Sequence, residues 1–162
     1  MQLKGQERSP GELLVGGGGL TFLLTMVLPW FSAGDVTRRG LSFWITGILP
    51  LLLLAVVVGS VWLDGRLALP LRLAAQRLPV DLATAQQVLA WGAALLVLVR
   101  LAFGATYESI NPEGSPLAVD LDQQPGIYLA VFAAAAVGVG LVLKAWDLGR
   151  AEEGSPEGPP AS

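Results

Sequence analysis

In this chain of 162 residues, 53% of the side chains are hydrophobic and 14% charged, with a net charge of −3; the charged fraction is well below the roughly 25% of an ordinary soluble domain. Cysteine and histidine are both absent, which removes disulfides, thiolate nucleophiles, His- or Cys-held zinc or haem, and the usual proton shuttle near neutral pH. No basic stretch points to nucleic acid.

The charges that do occur are unevenly spread, and this sets the class. None lies between Glu12 and Asp35, between Arg39 and Asp64, between Asp81 and Arg100, or between Asp122 and Lys144. Each gap is close to the roughly 20 apolar residues needed to cross a hydrocarbon core about 30 Å thick. A soluble helix needs a wet face with charges at helical spacing, and these segments have none. The composition predicts an all-α transmembrane four-helix bundle in a lipid bilayer.

In chain order, residues 1–11 form a polar cytoplasmic segment, and 12–147 form the membrane domain. The first span covers 13–31 and ends in Leu28-Pro29-Trp30-Phe31. It follows Lys4 and Arg8 and precedes the small residues Ser32-Ala33-Gly34, but it is long for a signal peptide and reads as an uncleaved anchor. The second span, 41–63, carries Pro50, which is expected to kink it. A connector with Arg66, Arg72 and Arg77 follows, in which PLRLAAQRL reads either as a short interfacial helix or as a plain loop. The third span, 82–105, has Asp81 as its N-cap. An acidic loop with Glu108, Glu113, Asp120 and Asp122 leads to the fourth span, 126–146, and residues 148–162 have the composition of a disordered cytoplasmic tail.

Lys and Arg cluster on the side of the termini, which predicts both termini inside. Trp30, Phe31, Phe43, Trp44, Tyr107 and Tyr128 are expected in an outer aromatic belt, and Trp62 and Trp146 in an inner one.

The four consecutive glycines Gly16, Gly17, Gly18 and Gly19 interrupt an apolar run. In lipid, helices associate through close packing, which small residues permit. The packing residues are therefore predicted to be this tetrad with Thr21 and Thr25, and Ala130, Ala134 and Gly138 on the fourth span. The alternative is a hinge or an unwound ligand site. Arg100, near the outer end of the third span, is the one charge near the membrane interior. It is expected either to snorkel and pair with the acidic loop or to hold an anion or lipid headgroup.

The segments LPWF, TGILPLLLLAVVVG, LVRL and GIYLAVFAAAAVGVGL resemble a group of small four-span integral membrane proteins of the actinobacterial type. The resemblance covers most of residues 13–146. It implies the four-span architecture and a bacterial plasma membrane, and it carries no assigned activity and no functional residues; the glycine tetrad departs from the group.

No catalytic, cofactor-binding or metal-binding residue is assigned, because no span interior holds Asp, Glu, His or Cys. The expected role is non-catalytic: a scaffold or accessory subunit that binds another membrane protein, or itself, in a cell-envelope assembly. The runner-up is an oligomeric small transporter or channel component.

Overall fold

The computed structural model describes residues 8–62, 81–110 and 116–153. The described residues are mostly helical, with four α-helices and a small sheet, so the all-α expectation is corrected. Helix α1 spans Pro10–Thr25, α2 Leu49–Trp62, α3 Leu82–Phe103 and α4 Pro125–Glu153. Strands β1 (Pro29–Ala33) and β2 (Val36–Arg39) lie between α1 and α2. Strands β3 (Ala105–Ile110) and β4 (Pro116–Gln123) lie between α3 and α4.

Among the described residues, three helical segments are long and apolar enough to cross a membrane: Trp44–Trp62, Leu82–Phe103 and Pro125–Arg150. Helix α1, with 16 residues, is about 24 Å long. It stops at Thr25 rather than Phe31, because Pro29 starts a strand. The second segment begins at Trp44 with a π-helical turn, Trp44–Ile48, that runs straight into α2. Pro50 thus sits in the first turn of α2, preceded by a widened turn in which the N–H groups of Gly47 and Ile48 both donate to Phe43 O at 2.9 Å. This accommodates a residue that lacks a backbone donor and crowds the preceding turn. Helix α4 continues through residue 153, so the start of the expected disordered tail is helical. Asp81 caps α3 by accepting from Thr84 N at 3.2 Å. Its hydrogen bonds to Thr84, the side-chain one foremost, hold its carboxyl below the ordinary carboxylate value. The PLRLAAQRL connector, the head of the chain before Arg8 and Glu113 lie outside the described residues.

The helices pack in a ring, each against two neighbours, and α1 against α4 is the most extensive contact. Here the backbones themselves approach. A Cβ added at Gly11 would lie 2.6 Å from Gly140 O and 2.6 Å from Lys144 N. One at Gly140 would lie 2.8 Å from Gly11 O, and one at Gly18 2.9 Å from Ala133 O. Of the tetrad, Gly18 therefore faces α4, while Gly16 and Gly19 admit Trp62 and Val58 of α2. Gly17 faces open space, and both Gly17 and Thr21 lie on the exposed side of α1. The packed stripe is Gly11, Val15, Gly18, Phe22 and Thr25, so the face expected through Gly17 and Thr21 is corrected by about one helical position. On α4, Ala130 and Ala134 are fully buried, and Gly138 receives the indole of Trp91 from α3.

Much of the interior between the helices is small, with Ala90, Ala93, Ala94, Ala130, Ala133 and Ala134 all buried. Many large apolar side chains point out: Trp44 is 70% exposed, Phe132 72% and Phe103 85%.

Overpacking a well-filled contact costs about 1–3 kcal/mol. Gly18→Ala and Gly140→Ala are accordingly expected to lower stability by that order, since each methyl meets backbone. Gly17→Ala should leave it unchanged or slightly raised. Thermal unfolding of the three variants in one detergent checks this; equal losses at all three positions would contradict the assigned seam.

Candidate functional site

The four strands form one antiparallel sheet in the order β2-β1-β4-β3 at one end of the helices. The β1–β2 hairpin turns on Gly34 and Asp35, with Ala33 paired to Val36 and Gly34 at φ 54°, where glycine alone carries no steric penalty. At the end of α3, Gly104 at φ 66° lets the chain leave the helix for β3. Phe31 pairs with Gln123 and Ser32 with Asp122, which joins the two hairpins. Gln124 reinforces the join: its N–H donates to Trp30 O at 2.8 Å, and its side-chain amide donates to Ser32 Oγ at 2.7 Å. Gln123 donates to Leu101 O at 2.7 Å and accepts from the Tyr128 hydroxyl at 2.6 Å.

Beneath the sheet, an aromatic cluster takes three residues of the expected belt. Trp30 and Phe31 are fully buried. Trp30 stacks on Phe43 with ring centres 6.2 Å apart, and Phe31 meets Phe43 edge-on at 5.6 Å. The Trp30 indole N–H donates to Thr25 O at 2.8 Å, while the Thr25 hydroxyl turns back to Phe22 O at 2.7 Å. Gly40 and Gly126 leave room for the Trp30 ring. Trp44 and Tyr128 keep exposed positions at this end, and Trp62 and Trp146 at the other. The side chain of Tyr107 lies outside the described residues.

Arg100, one turn from the end of α3, lies against this cluster. Its guanidinium carbon is 4.1 Å from the Phe43 ring centre and 5.5 Å from that of Phe31. Its Nε is buried without a hydrogen-bond partner among the described residues. No ion pair joins it to Asp120 or Asp122; the side chains of Glu108 and Glu113 lie outside the described residues. The expected pairing with the loop is thus replaced, among the described groups, by stacking on phenylalanine. Such a cation–π contact contributes about 0.5–2 kcal/mol, against about 2.5–3.5 kcal/mol for placing arginine at the centre of a membrane helix.

A second polar cluster closes the opposite end. Ser9 caps α1 by accepting from Glu12 N at 3.3 Å, and the Glu12 carboxylate accepts from Lys144 Nζ at 2.8 Å. The Trp62 indole donates to Glu12 O at 3.2 Å, and Arg8 lies 3.6 Å above its ring. Near the same end, Gln86 of α3 donates to Ser60 Oγ of α2 at 2.7 Å.

Comparison with protein-family models, with curated proteins and with solved structures returned no match. The site is read from its own chemistry. Sequence reasoning singled out Arg100 but missed the role of Trp30, Phe31 and Phe43. The available signal was PWFSAGDVTRR, two short β-prone runs around a Gly-Asp pair, a hairpin pattern.

A typical intramolecular hydrogen bond contributes about 0.5–1.5 kcal/mol. Trp30→Phe removes the indole N–H from Thr25 O, which keeps the Leu28 N–H at 3.2 Å, and shrinks a fully buried ring; it is therefore expected to lower stability by at least that order, whereas exposed Trp44→Phe should change it by less than about 0.5 kcal/mol. Unfolding of both variants in detergent decides between a core and a belt position for Trp30.

Proposed function

We propose that this chain is an integral protein of a bacterial plasma membrane, crossing it four times with both termini in the cytoplasm. It serves there as a non-catalytic scaffold or accessory subunit whose outer sheet meets another envelope protein. The observation that carries the membrane reading is the distribution of side-chain size. Alanine and glycine fill much of the space between helices, while Leu20, Leu95, Phe103, Phe132 and Trp44 lie outside. In water, an apolar surface of this extent drives association. In lipid, large apolar groups outside cost nothing, and small residues inside allow the close helix contacts on which stability depends.

The short α1 fits the same reading. Its contacts with α4 and with the continuous Trp44–Trp62 segment, both longer than α1, embed it so that its ends need not reach the headgroups unaided. The scaffold role is supported by the sheet, which is tied to the helices through Trp30, Gln123 and Gln124 and keeps β2 and β3 as edges. Edge strands offer backbone donors and acceptors to a partner strand.

Because the chain contains no cysteine, single substitutions report topology cleanly. A membrane-impermeant maleimide is expected to label Asp35→Cys in intact cells, and Gly149→Cys only after permeabilisation. The reverse pattern would overturn the orientation. A photo-crosslinker at Thr37, on the exposed edge strand, should trap a different membrane protein in native membranes. Self-adducts alone, together with solute leakage from liposomes containing the protein, would replace the scaffold reading with an oligomeric channel.

A further inference from the structure

We infer that Arg100 and its phenylalanine platform bind a phosphate group, presented laterally by an anionic phospholipid of the leaflet on the sheet side. The inference rests on the membrane reading above and deepens it by naming a ligand. Four observations converge on it. Arg100 lies in the last turn of an apolar helix, where a cation is poorly solvated. Its guanidinium carbon lies over Phe43 at 4.1 Å with Phe31 at 5.5 Å, which holds the group in place while leaving the side chain partly exposed. Its buried Nε has no acceptor among the described residues, and neither Asp120 nor Asp122 reaches it in an ion pair. Finally, Arg38 pairs with Phe31 across β1 and β2, and directly paired residues share a sheet face. A second guanidinium therefore belongs to the side that carries the platform.

A phosphate supplies what this arrangement needs. Its oxygens accept two parallel N–H bonds from one guanidinium, and its charge offsets that of the arginine. The direction of approach follows from the surrounding charge. Asp120 and Asp122 on β4 face a free anion arriving from solution with like charge. A lipid phosphate at the level of the helix end arrives from the side and avoids them.

The test uses the full chain, purified in mild detergent with phosphatidylcholine and phosphatidylglycerol in equal amounts, with bound lipid counted by native mass spectrometry. Phosphatidylglycerol should be retained in preference to phosphatidylcholine, and Arg100→Gln should reduce that preference at least about tenfold, the loss expected for a charge-assisted pair. Arg100→Lys, which keeps the charge without the fork, should lose part of it. Equal retention of the two lipids by the wild-type chain, or an unchanged preference in Arg100→Gln, overturns the inference.

Should Arg100→Gln not fold, the melting temperature of the wild-type chain in phosphatidylcholine decides instead. It must rise on adding phosphatidylglycerol and not on adding more phosphatidylcholine, and no rise is a refutation. Inorganic phosphate separates the two sources of the anion: displacement of the lipid at millimolar concentration would assign the site to a soluble phosphate and overturn the lipid assignment. The membrane reading fails by a different result, a folded monomer in buffer without detergent, so the two failures are distinguishable.

Discussion

The contact between α1 and α4 depends on backbone meeting backbone. Gly11, Gly18 and Gly140 each stand where a methyl group would press on a carbonyl oxygen or an amide of the facing helix. The helices can close to this distance only because nothing projects between them, and the approach brings many weak dispersion contacts into range together. At one end it sets the Glu12 carboxylate 2.8 Å from Lys144 Nζ. At the other it delivers the end of α1 to the start of α4, where a Cβ on Gly126 would strike Pro29 O and Leu28. The sheet follows from this. β1 can pair with β4 because the helices that lead into and out of them are already held together.

The aromatic cluster is the next layer of the same logic. Short strands at the end of a helical ring have little core of their own, and a two-stranded hairpin is marginal alone. Joining both hairpins into four strands, and seating Trp30, Phe31 and Phe43 beneath them, gives the sheet a packed floor. Trp30 also donates to Thr25 O at the end of α1, a carbonyl that otherwise accepts only the Leu28 N–H. The π-turn before Pro50 belongs to this layer, since it takes two amide bonds to the carbonyl of Phe43, the residue on which both Trp30 and Arg100 rest.

Charge gaps made the helices legible, because a long apolar run has few other uses. Helix periodicity also explains why the glycine tetrad was misread in part. Four consecutive residues cover more than a full turn of 3.6 residues, so they cannot all face one neighbour. Gly18 meets α4, Gly16 and Gly19 meet α2, and Gly17 is left over. Gly17 and Thr21 lie on the exposed strip, whereas the alternating steps from Gly11 through Val15, Gly18, Phe22 and Thr25 trace the buried one, so of the expected face only Thr25 is packed. The sheet was harder to see, because Pro-Trp-Phe at the end of an apolar run fits an interfacial belt equally well. Which reading holds depends on a strand more than 80 residues away, Phe31 pairing with Gln123, and local sequence carries no trace of that partner. Arg100 stood out by charge alone, but its platform is assembled from separate segments and was invisible for the same reason.

That assembly links the seam of glycines to the chemistry of the sheet end. Arg100 comes from α3, Phe31 from β1 and Phe43 from the segment entering α2, so no single element can make the site. Phe31 takes its position from β1, and β1 takes its own from the closed contact of α1 with α4. A methyl group at Gly18, far down the helix, therefore acts on the guanidinium through a chain of packed elements rather than by touching it. Substitutions in the seam and at the platform are accordingly expected to be non-additive, since both draw on the placement of the same strand.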